Sequence, residues 1–188
     1  MSHYRRYRVP GACYFFTVNL QNRRQRLLMD YIDVLRSVMR KVQQQHPFYI
    51  DAMVVLPEHL HCIWTLPVDD ADFSLRWRQI KANFSRQLPK HEPLTASRAH
   101  KQERGIWQRR FWEHVIRDET DFSRHVDYIY FNPVKHGLVA RVVDWPFSSF
   151  HRDVQRELYP ATWGASYVEV LDEMGESGLD LIDCVGGE

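Results

Sequence analysis

The sequence predicts an α+β fold: an antiparallel four-stranded sheet with helices on one face, one further helix and a C-terminal tail. Three observations lead there. Short runs of β-branched and aromatic residues alternate with amphipathic stripes of helical period. Two of those runs are separated by Pro57-Glu58 alone, which leaves room only for an antiparallel hairpin. At 188 residues the chain suits one domain with a proper core.

The elements follow in order. Residues 12–20 (Ala-Cys-Tyr-Phe-Phe-Thr-Val-Asn-Leu) read as a buried strand. Asp30 is placed to cap a helix whose stripe is Ile32, Leu35, Val38, Met39 and Val42, ending near His46-Pro47. Residues 48–56 and 59–66 form the hairpin strands. Asp72 opens a second helix, with Phe73, Trp77, Ile80 and Phe84 on one stripe and Arg76, Arg78, Lys81 and Arg86 among them. Residues 89–105 are polar, with two prolines and no period, and are expected to be a mobile loop. Residues 106–116 supply the fourth strand, best defined over 111–116. Asp118 or Thr120 caps a third helix, which Pro133 is expected to stop after Asn132, with Gly137 marking the exit. The first six elements, β-α-β-β-α-β, match the ferredoxin-like arrangement. The third helix is expected near the sheet's other surface or edge. A domain over residues 1–160 and an acidic, partly ordered tail over 161–188 complete the organisation.

The net charge of +1 hides a division. Residues 1–152 hold 24 basic and 15 acidic side chains, while residues 153–188 hold one basic and nine acidic ones. A basic body suits a polyanion, because each neutralised phosphate releases condensed counterions. No apolar run approaches the ~20 residues that span a bilayer, and residues 1–18 lack the features of a signal peptide. Cys13, Cys62 and Cys184 are widely spaced, which argues against a thiolate zinc site or a disulfide framework and for a reducing compartment. The expectation is a cytoplasmic protein with no membrane partner.

The chemistry-bearing residues form two pairs. His59 and His61, two apart on a strand, point to one face about 7 Å apart at the backbone, and either converge on one ion or simply face solvent. Leu60 between them turns into the core. Tyr128 and Asn132, four apart on the third helix, share a face. Phe122, Val126 and Ile129 account for that helix's packing without Tyr128, and Tyr130 and Phe131 are read as packing or base-stacking residues. An amide oxygen from Asn132 would add a third, harder ligand and leave positions open for water and a phosphate oxygen, whereas on its own Asn132 reads as a helix C-terminal residue before proline.

His59-Leu60-His61 resembles the His-hydrophobic-His motif of the single-tyrosine HUH endonucleases, and Tyr128-Ile-Tyr-Phe-Asn132 resembles their nucleophile helix. The segments Val54-Val-Leu-Pro-Glu-His-Leu-His61, Phe111-Trp-Glu-His114 and Asp127-Tyr-Ile-Tyr-Phe-Asn-Pro-Val-Lys-His-Gly137 are similar to those of one branch, the REP-associated tyrosine transposases. The resemblance runs from about Tyr4 to Tyr159. It implies a divalent ion, Mg2+ or Mn2+, held by His59, His61 and Asn132. It further implies attack by Tyr128 on a phosphodiester, giving a 5′-phosphotyrosine link and a free 3′-hydroxyl, and single-stranded DNA with a REP-type hairpin as partner. Arg5, Arg6 and Arg8, interleaved with Tyr4 and Tyr7, suit phosphates and unstacked bases. Arg23, Arg24, Arg109 and Arg110 are the other candidate DNA contacts, with Arg26 beside them. Two other readings compete: a non-catalytic nucleic-acid binder on a ferredoxin-like sheet, and a hydrolytic zinc enzyme using His59, His61 and His114. The sequence does not decide between monomer and homodimer.

Overall fold

The computed structural model describes residues 7–165; Arg5, Arg6 and residues 166–188 of the acidic tail lie outside the described residues. The chain divides into two compact units, one ending at Tyr130 and the other starting at Phe131.

The first unit holds the sheet. Strands β1 (Cys13–Asn19), β2 (Tyr49–Val55), β3 (His59–Thr65) and β4 (Trp112–Val115) pair antiparallel in the order β2-β3-β1-β4. A single turn of helix, α1 (Leu27–Asp30), precedes α2 (Ile32–Gln45), and α3 (Phe73–Gln87) follows the hairpin. This is the ferredoxin-like order that the sequence predicts. Asp30 does not cap α2; it ends α1, and Tyr31 stands at the N-cap position with no side-chain hydrogen bond. Asp72 does cap α3, accepting from the Leu75 amide at 3.0 Å.

Strand alternation separates two layers. Phe16 meets Trp64, Phe73 and Trp77 on the face shared with α3. Phe15, one residue earlier, points the other way, onto His61, His125 and Tyr128. The helix α5 (Glu119–Lys135) therefore lies over the opposite face from α3, and Asp118 caps its start through the Asp121 amide at 2.8 Å. Arg76, at 1% exposure, is structural: its guanidinium donates to the carbonyls of His46, Pro47 and Asp72 and to the Asp70 carboxylate.

Three further expectations need correction. Pro133 does not stop α5, which continues to Lys135 before Gly137 turns out with φ +65°. Its ring is buried, and packing offsets the missing backbone donor. The fourth strand is shorter than residues 106–116, because residues 106–110 touch the sheet through one bridge, Leu20 to Trp107. The stretch 89–105 is a tied loop containing a short helix, α4 (Ala96–His100), and two arginines substitute for the apolar period it lacks. Arg98 donates to the carbonyls of Arg104 and Trp107 and to Gln21; Arg104 donates to the carbonyls of Ser85, Leu88 and Pro89 and pairs with Glu92.

In the second unit a 3₁₀ turn (Val142–Asp144) and α6 (Phe150–Gln155) gather a small core in which Tyr159 and Trp163 pack on Phe150. Gly164, at φ +86°, lets the chain pass Val142; a Cβ there would sit 2.9 Å from the valine methyl. Among the described residues no helix is long and apolar enough to cross a membrane.

Candidate active site

The β1–β3 register places the candidate ligands. Thr17 stands opposite His61 and Asn19 opposite His59, so all four lie on the face that α5 covers. Both histidines are buried, at 2% and 0% exposure, rather than turned to solvent. Their ring centroids are 4.8 Å apart with planes at 82°, an arrangement that lets two ring edges address one point.

Each imidazole has its own anchor. Thr17 Oγ1 lies 2.9 Å from His61 Nδ1, and Glu58 Oε1 lies 3.0 Å from His59 Nδ1. When Nδ1 carries the proton and donates it to that oxygen, Nε2 becomes the ligand, and the ring cannot swing. Burial opposes ionisation of Glu58, but the hydrogen bond to His59 and the charges of His59 and Arg23 outweigh it and hold the carboxyl below its ordinary range. An anionic Glu58 raises the donor strength of the imidazole it touches.

Tyr128 sits on α5 at 7% exposure, with its ring edge-on to His61 at 5.2 Å and to Phe15 at 6.0 Å. The structure thus brings His59, His61 and Tyr128 together. Tyr130, two residues on and therefore around the helix, is fully buried, in keeping with a packing role. Asn132 follows one turn after Tyr128, at 1% exposure; both polar atoms of its amide are buried with no hydrogen-bond partner among the described residues. A buried amide left that way is costly unless something else takes it up. The two anchored imidazoles form a donor pair that fits a divalent ion.

Sequence reasoning missed Thr17 and Glu58. Glu58 had a signal, since it directly precedes His59 in the hairpin turn. Thr17 had none, because its partner is set by cross-strand register. The arginines are more dispersed. Arg8 and Arg23 are about half exposed and stand 3.8 Å from Asp72 and Glu58 respectively. Arg24 and Arg110 are exposed, and Arg109 donates to Glu103 and Ser97. Arg109 also lines a cleft of about 610 Å³ with Arg78, Lys81, Arg86 and Trp107, a basic and aromatic surface away from the histidines.

The family model "Transposase IS200 like" matches residues 9–130. The REP-associated tyrosine transposase of Escherichia coli (strain K12) is 53% identical over 169 residues, covering 90% of this chain and 94% of that protein. A solved structure of a REP-associated tyrosine transposase bound to a REP hairpin superposes with a TM-score of 0.76 at 54% identity, over 87% of this chain and 92% of that one.

Proposed function

The chain belongs to the IS200-like transposase family, among the REP-associated tyrosine transposases, and we propose that it nicks and rejoins single-stranded DNA at or beside REP-type hairpins with Tyr128 as nucleophile. The observation that carries this is the Tyr128 ring standing 5.2 Å from His61 on a sheet face that also holds His59. The relative with a bound REP hairpin supports the choice of DNA.

The Tyr128 oxygen attacks the scissile phosphorus, the phosphorus–O3′ bond breaks, and the 3′-oxygen leaves as a hydroxyl. The bond energy is kept in the 5′-phosphotyrosine link, so the reverse attack rejoins strands without a nucleotide cofactor. A free phenol has a pKa near 10 and is about one part in a thousand ionised at pH 7, so the attack needs help. His59 and His61, with Asn132 as third ligand, would hold a divalent ion that polarises the phosphate and stabilises its developing charge; the family resemblance points to Mg2+ or Mn2+, and the two imidazoles favour manganese or a softer ion over magnesium. Thr17 and Glu58 keep the two rings aimed. Phe15 fills the space beside Tyr128 and excludes water from it.

Arg8, Arg23, Arg24, Arg109 and Arg110, together with Arg5 and Arg6, are proposed to contact DNA phosphates. The transposase domain is assigned to residues 1–160, with the acidic tail at 161–188, and the action to the cytoplasm. The test is a denaturing gel of protein mixed with single-stranded hairpin DNA and manganese. A covalent protein–DNA band that disappears with Tyr128→Phe is expected; cleavage that survives the change would overturn the assignment.

A further inference from the structure

The sheet face that holds His59 and His61 carries a second group of metal-ligating side chains, separated from them by the ring of Phe15. His114 stands on β4 directly opposite Phe15, and Asp121 and His125 stand one turn apart on α5. His114 Nε2 lies 2.8 Å from one carboxylate oxygen of Asp121, and His125 Nδ1 lies 3.1 Å from the other. The two imidazoles stack at 4.8 Å with planes 16° apart, so their edges face the same way. One donor atom from each residue lies within 4.8 Å of the other two, and among the described residues this is the group of three His, Cys, Asp or Glu so arranged. The side chains are 19%, 20% and 11% exposed, which leaves an entry path from solvent.

We propose that His114, Asp121 and His125 form a second divalent-cation site, selective for zinc-class transition ions over magnesium. The donor set decides the ion. Two imidazole nitrogens and one carboxylate oxygen suit a tetrahedral borderline metal with a water in the fourth place, whereas magnesium asks for six oxygens. The ion would replace the contacts of the two rings with the Asp121 carboxylate and, on His125, the hydrogen bond of Nδ1 to the Asp121 backbone carbonyl 2.8 Å away. The Arg117 amide, 3.0 Å from the same carboxylate, would then orient Asp121 from behind. Bound there, the ion would bridge β4 to the first half of α5, three residues before Tyr128, and would stiffen the helix that carries the nucleophile.

The proposal does not depend on strand cleavage, and neither does its test. Untagged H59A/H61A protein, which lacks the first pair of imidazoles, is titrated with Co2+ in millimolar Mg2+ while visible absorption is followed. One equivalent should bind with the intense band of four-coordinate cobalt, and one equivalent of Zn2+ should bleach it. His114→Gln or His125→Gln in that background should weaken binding at least about tenfold, with far-UV circular dichroism confirming the fold. Wild-type protein offers the reciprocal measurement should the double variant not fold: two equivalents of zinc, falling to one with H114Q/H125Q. The absence of a stoichiometric band in H59A/H61A, or stoichiometry in either background indifferent to His114 and His125, would show that Asp121 is a hydrogen-bond anchor and nothing more.

Discussion

The two histidine groups on this sheet face are made of the same parts and differ in how the rings are anchored. His59 and His61 each have an oxygen of their own, Glu58 and Thr17, and both rings are almost wholly buried. His114 and His125 share one residue, Asp121, whose carboxylate meets His114 and whose backbone carbonyl lies 2.8 Å from His125 Nδ1 with the carboxylate at 3.1 Å, and both rings remain partly open to solvent. Separate anchors fix each tautomer independently and aim both ligand nitrogens before anything binds, the preorganisation that electrostatic catalysis requires. A shared anchor fastens two elements together, because Asp121 also accepts from the Arg117 amide at the start of α5. On the proposed function the first group acts on a phosphate beside Tyr128, and on the further proposal the second holds the helix that brings Tyr128 there.

Substitutions can break that contrast, and the largest effect is expected at the proposed nucleophile. Tyr128→Phe should lower single-turnover cleavage on the order of a thousandfold or more while hairpin binding stays within a few-fold. An equal loss of cleavage from Asp121→Asn would erase the distinction between the groups. Next comes the private anchor: Thr17→Val should cost roughly 10–100-fold in cleavage or metal affinity, and Thr17→Ser, which restores the hydroxyl, should recover most of it. No difference between Val and Ser would remove Thr17 from the site.

Asp121→Ala belongs to the other side of the contrast. It should destabilise the fold by about 1–3 kcal/mol through lost hydrogen bonds, read as a melting temperature several degrees lower. The smallest effect is with pH. Burial, reinforced by the charge of His114, holds His125 below 6.5 in the folded protein. As pH falls below 6.5 the unfolded chain takes up a proton that the folded one resists, so stability present at pH 7.5 should decline towards pH 5.5. Asp121 adds to the loss only in stronger acid. Burial raises its pKa, but the hydrogen bonds from His114 and the Arg117 amide and the histidine charges outweigh it, so this contribution is lost as pH passes down through the depressed folded value. His125→Gln should flatten the decline between pH 7.5 and 5.5, and an unchanged slope would place its cause elsewhere.

Much of the fold was legible because it rests on local periods. Alternation in residues 12–20 and 59–66, the two-residue link at Pro57-Glu58 and the stripe through Phe73, Trp77, Ile80 and Phe84 each specify one element and one buried face. The misreadings fall where tertiary contacts override a local signal. Burial of Pro133 lets α5 run on, and the buried guanidinium of Arg98, with Arg104 beside it, organises a loop that has no apolar period to read.

The active site divides along the same line. By itself the sequence determined that His59 and His61 share a strand face and that Tyr128 and Asn132 share a helix face, because both follow from backbone repeats of two residues and of about 3.6. Only the tertiary structure decided that Tyr128 stands against His61, that Thr17 and Glu58 hold the rings, and that His114 meets Asp121 and His125. Those contacts depend on strand register and on where α5 lies over the sheet, which are settled by packing across distant segments rather than by any period within one.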